Sequence, residues 1–395
     1  MNSRLDPVEL TQRLIAYDTV NPPGNERRCA EFLADVLSGA GFETSLHECG
    51  HDRANLIATR HDGSRRAPLV FTGHIDVVPL GTRAWTHDPF VAEVADGRIY
   101  GRGSSDMKSG VAAFVCAALR HASEAPDATN LTLVITSGEE TGCVGAASLV
   151  AEGILGPAGA IVVGEPTANS VCVGHKGALW LRAITTGITA HGSMPEMGDN
   201  AIYKAARVIG RLESFAFDAA AHPTLGSPTL SVNTIRGGIN INSVRDHTEI
   251  GVDIRTVPSV DHADLRRTIQ HHVGETARLE VFLDVPGVWT SPELAWVKRV
   301  AQLANDVTGA SRPPGAATFF SDASILTPAM GRPMTVILGP GEPGQAHQTD
   351  EWCSVQQIHA GVEIYLGILR DWSREGGALL ESTHGAVRYV SERRA

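Results

Sequence analysis

The sequence predicts an α/β layered domain interrupted by an inserted βαββαβ domain, and three observations carry this. Short apolar runs at 69–71, 131–136, 160–163 and 334–338 read as strands buried on both faces, as in a parallel sheet. Between the first two, Val111, Phe114, Val115, Ala118 and Leu119 recur at helical spacing, so strands alternate with helices. From about 176 to 288 the pattern changes to strand (178–185), helix (200–215), strand (229–235), strand (248–254), helix (262–273), strand (278–282), a ferredoxin-like order. The expected domains are therefore 1–175 with 289–395, and an insert at 176–288.

The other elements follow local rules. Asp6-Pro7-Val8-Glu9 opens the first helix, with Asp6 as cap and Pro7 at its first position, and Leu5 and Leu10 form a hydrophobic staple. After the breaker Asn21-Pro22-Pro23-Gly24, a second helix carries Cys29, Phe32, Leu33, Val36 and Leu37 on one face and stops at Gly41. His175 and Lys176, just ahead of the insert, read as hinge or surface residues. The chain ends in a polar tail, 375–395.

A length of 395 residues accommodates two cores. The net charge of −11 argues against nucleic acid or an anionic membrane as partner, since either needs a clustered basic excess. The first 14 residues include acids and no apolar signal region, and no run approaches the ~20 apolar residues of a membrane span, so a cytoplasmic location is expected. Six dispersed cysteines without a Cys-x-x-Cys pair read as reduced and mostly buried.

The chemically purposeful residues follow the strands. His74 and Asp76 follow the first, Glu139 and Glu140 the second and Glu165 the third, while His347 lies in the loop after the fourth. Ligand crevices of open α/β sheets lie outside the carboxyl ends of the strands, so these loops are expected to converge. A lone His-x-Asp is more often a satisfied core histidine than a metal ligand. Asp106, in the glycine-rich loop Gly101-Arg102-Gly103-Ser104-Ser105-Asp106, has an equally ordinary reading as a carboxylate at a helix start. Together, two imidazoles and several carboxylates suit Zn²⁺, Co²⁺ or Mn²⁺, and so many acids in one cleft call for two cations, about 3.5 to 4 Å apart, to neutralise them. Cys143 lies nearby in sequence but is offset from the ligand positions.

The ordered set Gly73-His74-Ile75-Asp76-Val77-Val78-Pro79, Asp106-Met107-Lys108, Glu139-Glu140, Gly164-Glu165-Pro166-Thr167, Ala190-His191-Gly192-Ser193 and Ala346-His347 resembles the M20 metallopeptidase family. Within it, the pattern is most similar to the acetylornithine deacetylase and succinyl-diaminopimelate desuccinylase branch. The resemblance spans about 18 to 352. It implies a zinc-exopeptidase-like catalytic domain, a mixed, mainly parallel sheet with helices on both faces, and an inserted dimerisation or lid domain. It also implies two zinc ions, one held by His74, Asp106 and Glu165, the other by Asp106, Glu140 and His347. Asp76 would accept the distal N–H of His74, Glu139 would be the acid/base, and the peptide between Asp106 and Met107 would be cis.

By the same resemblance His191 would stabilise the oxyanion in the site of a partner subunit of a homodimer. Arg255 would clamp the substrate's α-carboxylate, assisted by Asn242, with Asn240 a competitor for that role. Ser243-Val244-Arg245-Asp246 and Phe319-Phe320-Ser321-Asp322 depart from the usual runs and bear on the substrate pocket. The expected reaction is hydrolysis of an N-acyl amino acid to a carboxylate and a free amino acid. The rivals are a dipeptidase or carboxypeptidase with the same metal chemistry, and a relative that binds amino acids without catalysis.

Overall fold

The computed structural model describes residues 5–64, 66–126 and 130–375, so nearly all of the polar tail lies outside the described residues. The chain forms two compact units. One comprises the residues up to Gly174, Trp289–Ala317 and those from Ser321 onward; the other comprises His175–Val288 and Thr318–Phe320.

The larger unit is built on a nine-stranded sheet whose order runs Glu43–Gly50, Arg53–Arg60, Leu131–Thr136, Leu69–His74, Ala160–Val163, Met334–Ile337, Cys172–His175, Val288–Trp289, with Gly315–Ala317 paired to Cys172–His175 off this path. Its centre is parallel: Leu69 pairs with Leu131 and Ala160, and Met334 with Ala160. These four strands are buried throughout, as near-continuous apolar runs require. The common register aligns their carboxyl ends at His74, Thr136, Val163 and Ile337. Antiparallel strands flank this centre on one side, where Glu43–Gly50 pairs with Arg53–Arg60 and the latter with Leu131–Thr136.

The helices Ser109–Glu124 and Val355–Glu375 pack on one another, and the rings of Phe71, Phe114 and Tyr365 meet at centroid distances of 5.3 to 6.3 Å. Close backbone approach places the strand ends. A Cβ on Gly110 would lie 2.0 Å, and one on Gly339 2.2 Å, from the carbonyl oxygen of Gly164, so only glycine fits beside the residue preceding Glu165. Asp6 caps the first helix, Pro7–Ile15, by accepting the backbone N–H groups of Val8 and Glu9. No helix among the described residues is long and apolar enough to cross a membrane.

The smaller unit has an antiparallel four-stranded sheet, Thr229–Gly237, His247–Thr256, Gly177–Thr186, Arg278–Val285 in that spatial order. Helices Ala201–Glu213 and His262–Val273 cover one face. Leu179, Leu181, Ala183, Ile250, Val252 and Ile254 point into that core, and the alternate residues form the open face. This is the ferredoxin-like order read from the sequence. His175 corrects one expectation: it lies at the boundary between the units but is fully buried, its Nδ1 2.9 Å from the Lys176 carbonyl oxygen, and so is not a surface residue. Position next to a predicted boundary said nothing about its packing.

Candidate metal centre

The aligned strand ends bring five of the predicted residues together. His74 ends its strand with the imidazole buried, and Asp106 enters from the loop before Ser109–Glu124. His74 Nε2 lies 3.3 Å from Asp106 Oδ1 and 3.7 Å from Glu165 Oε1. On the other side of Asp106, His347 Nε2 lies 3.4 Å from Oδ2 and 3.1 Å from Glu140 Oε2. The Asp106 carboxylate thus stands between two imidazoles, each with a glutamate at its side. The Asp106–Met107 peptide is cis, as the resemblance implies, and His347 takes a left-handed backbone with φ of 65°.

Glu139 is buried, its Oε1 4.0 Å from Cys143 Sγ. Cys143 therefore lies beside the predicted acid/base, not in the ligand group. Asp76 departs in detail from the expectation. The nearest acceptor to His74 Nδ1 is the main-chain oxygen of Asp76, at 2.9 Å, with carboxylate Oδ1 at 3.5 Å. That carboxylate accepts Asn21 Nδ2 and the backbone N–H groups of Glu139 and Glu140, so it fixes the loop carrying both glutamates as well as the histidine.

Two residues that the sequence did not single out, Arg102 and Glu351, hold the ligand loops. Glu351 is fully buried; its Oε2 accepts Arg102 Nη1 at 2.7 Å and the N–H of Gly103 at 3.0 Å. Its Oε1 accepts the N–H groups of Ser105 at 2.8 Å and Asp106 at 3.0 Å. Arg102 also donates to the carbonyls of Gln348 and Pro79, which ties together the loops that follow His74, precede Asp106 and carry His347. Asp322 was quoted only as part of a divergent run; its buried carboxylate accepts Thr136 Oγ1 at 2.5 Å.

The electrostatics are those of crowded acids. Burial, reinforced by neighbouring carboxylates, raises Glu139 and Glu165 well above the ordinary range and pushes Glu140 up to about 7. Asp106 goes the other way: burial raises it, but hydrogen bonding and charge from His347 and His74 outweigh that and hold it low. Hydrogen bonding and charge from Asp106 and Glu140 push His347 up to about 10. Divalent cations fit this group on three counts. Ligand atoms of His74, Asp106 and Glu140 lie within 4.8 Å of one another, buried Asp106 Oδ1 has the His74 imidazole at 3.3 Å but no well-formed hydrogen bond, and the mixed nitrogen and oxygen donors suit zinc-like ions.

The remaining predicted residues lie in the smaller unit. His191 is exposed, its Nδ1 2.7 Å from Ser193 Oγ, on a short ribbon that pairs it with Ser243. The Asn242 carbonyl accepts the Gly192 N–H at 2.6 Å, so Asn242 and His191 are brought together. Asn242 and Asn240 are both exposed. Arg255 is not free: Nε donates to Asp253 Oδ1 at 2.9 Å and Nη2 to Oδ2 at 3.2 Å.

This fold, with its histidines and acids gathered at the strand ends, is that of a metallopeptidase-type hydrolase. The chain belongs to peptidase family M20/M25/M40, whose pattern matches residues 70–371. A succinyl-diaminopimelate desuccinylase of Cereibacter sphaeroides is 31% identical over 392 residues, covering 93% of this chain and 99% of the relative. Among solved structures, the M20 family metallo-carboxypeptidase Sso-CP2 of Sulfolobus solfataricus superposes with a TM-score of 0.79 at 18% identity, covering 94% of this chain and all of that one. The YXEP protein of Bacillus subtilis, described as a dinuclear metal-binding M20 peptidase, gives 0.66 at 13% identity, covering 92% and 97%. The sequence resemblance to M20 enzymes and the expected fold class are thereby borne out.

Proposed function

We propose that this chain is a dinuclear metallohydrolase that cleaves the amide bond of an N-acyl amino acid, releasing a carboxylate and the free amino acid. The observation that carries the reading is the Asp106 carboxylate, with one oxygen toward His74 and the other toward His347. His74, Asp106 and Glu165 would hold one cation, and Asp106, Glu140 and His347 the other. Zinc is the first choice, with cobalt or manganese as substitutes. When bound, such a pair supplies Lewis acidity for the amide carbonyl and lowers the pKa of water.

The chain's own residues do the rest. Glu139, raised by burial, takes a proton from the attacking water and returns it to the leaving amine. Asp76 orients His74 and the Glu139-Glu140 loop. Arg255 receives the substrate's α-carboxylate, with Asn242 assisting, and His191 donates to the oxyanion in a partner subunit's site. The working form is a cytoplasmic homodimer acting on a small molecule. The desuccinylase name of the 31% identical relative supports an N-acyl amino acid over a dipeptide or carboxypeptidase substrate.

The test is metal analysis of the purified protein, with turnover measured on N-acetyl, N-succinyl and N-formyl amino acids against a set of dipeptides. Two divalent ions per chain and hydrolysis of at least one N-acyl amino acid are expected. Failure to bind two ions sinks the mechanism, and turnover confined to dipeptides replaces the deacylase with a peptidase. Full metal loading without turnover on either set would leave a binding protein.

A further inference from the structure

The open face of the smaller unit's sheet carries an aromatic cluster around Arg255. Trp180 donates its indole N–H to Asp253 Oδ1 at 2.9 Å, the oxygen that also accepts Arg255 Nε. The Arg255 guanidinium carbon lies 5.9 Å from the Trp180 ring centroid. Phe282 and Phe320 stand against that indole, with centroids at 5.8 and 6.3 Å, the second edge-on. Phe282 is 57% exposed, far more than a ring kept only for packing requires.

Two features select what this surface can receive. A guanidinium has two edges suited to a carboxylate. Asp253 occupies the Nε/Nη2 edge of Arg255, and Nη1 has no hydrogen-bond partner among the described residues, so the outer edge is pre-aimed at a second carboxylate. The acids of the face are already matched: Asp253 by Arg255, and Glu249 and Glu280 by Arg182, at 3.5 and 4.0 Å. An ammonium group arriving here meets no unpaired acid among these residues, whereas an apolar group meets three rings.

We propose that this chain takes N-acyl amino acids whose side chain is aromatic or large and aliphatic, held by Trp180, Phe282 and Phe320 beside the carboxylate on Arg255. It thereby discriminates against amine-bearing amino acids such as ornithine or diaminopimelate. The proposal rests on the reading of Arg255 as carboxylate anchor and adds the chemistry of the group next to it. Phe320 belongs to the run that departs from the usual pattern.

The experiment uses the zinc-loaded protein. Turnover of N-acetyl-L-phenylalanine and N-acetyl-L-leucine is compared with that of N-acetyl-L-ornithine and N-succinyl-L,L-diaminopimelate. Calorimetric binding of the same compounds to zinc-loaded Glu139→Ala keeps the result independent of catalysis. Expected are at least about tenfold higher kcat/KM and tighter binding for the phenylalanine and leucine compounds, the scale that apolar pockets deliver. Phe320→Ala and Phe282→Ser should each cut that preference, mainly by raising KM for the phenylalanine and leucine compounds. Preference for ornithine or diaminopimelate, or a ratio untouched by both substitutions, overturns the inference while leaving the hydrolase intact. Selective binding of the apolar compounds with no turnover of any would overturn the hydrolase and keep the inference. Loss of the dimer in the Phe282 and Phe320 variants, at unaltered selectivity, would assign the rings to a subunit interface and overturn it too.

Discussion

Glu351 Oε1 accepts the backbone N–H of Asp106 at 3.0 Å, and its other oxygen accepts Arg102 Nη1 at 2.7 Å. A buried carboxylate four residues from His347 thus fixes the peptide that carries the central aspartate. Glu351→Gln keeps the shape and a single carbonyl acceptor but places an N–H₂ against backbone N–H donors. Arg102 then loses its anionic partner, a loss that is severe in a buried pair. The expected outcome is zinc affinity weakened about 10- to 100-fold, as for other groups that orient ligands. Competition with a chelator, read against the unfolding midpoint in urea, separates this from general destabilisation. Unchanged metal affinity with a lowered midpoint would reduce Glu351 to a packing role.

Glu139 is near the predicted ligands without standing between the imidazoles. Glu139→Ala is therefore expected to bind both metal ions with unchanged stoichiometry and to lose about 10²- to 10⁴-fold in kcat, the range for removing a general acid or base. KM should move little, since binding of the substrate's carboxylate is assigned elsewhere. Metal content by mass spectrometry and steady-state kinetics on one preparation check both halves. Retained turnover would transfer the proton to another group.

The site's outline was legible in the sequence because its ligands follow strands, and a strand buried on both faces leaves an apolar run that is easily read. His74, Glu139, Glu140 and Glu165 were placed by that rule, and the parallel register confirms the convergence. The edge strand Glu43–Gly50 was not legible, because its residues are exposed or half-buried and mostly polar, with no periodic apolar face. Glu351 was equally hidden. Its partners are backbone N–H groups almost 250 residues earlier, and a single glutamate gives no local sign of them. Asp253 sits two residues before Arg255, but their bidentate pairing depends on both pointing to the same face of a strand; alternation allows it without requiring it.

His191 is exposed in the smaller unit, its Nδ1 2.7 Å from Ser193 Oγ. If it serves a partner subunit, His191→Ala and Glu139→Ala should each be nearly inactive alone and complement when mixed. A mixed dimer has one site with Glu139 intact and His191 supplied by the other chain. Random exchange makes half of the dimers mixed, with half their sites competent, so recovery to about a quarter of wild-type activity is expected. Assay after mild denaturation and reassembly checks this. No recovery, with dimer exchange shown by mass, would place His191 in its own chain's site or outside catalysis.

His175 provides a pH dependence remote from the metal ligands. Burial pushes its imidazole down to about 4 from 6.5, because the charged form loses its hydration, and the contact with the Lys176 carbonyl only partly offsets this. Between those values the unfolded chain binds a proton that the folded chain does not. Stability from this group is therefore complete above about pH 6.5 and falls as pH drops toward 4, by up to about 3 kcal/mol. His175→Asn keeps an N–H for the Lys176 carbonyl and cannot be protonated in this range. Wild type should lose about 2 to 3 kcal/mol more than the variant between pH 8 and pH 4.5 in urea unfolding of the metal-loaded protein. Parallel stability profiles for the two would show that the imidazole is protonated in place, and the buried neutral histidine would have to be abandoned.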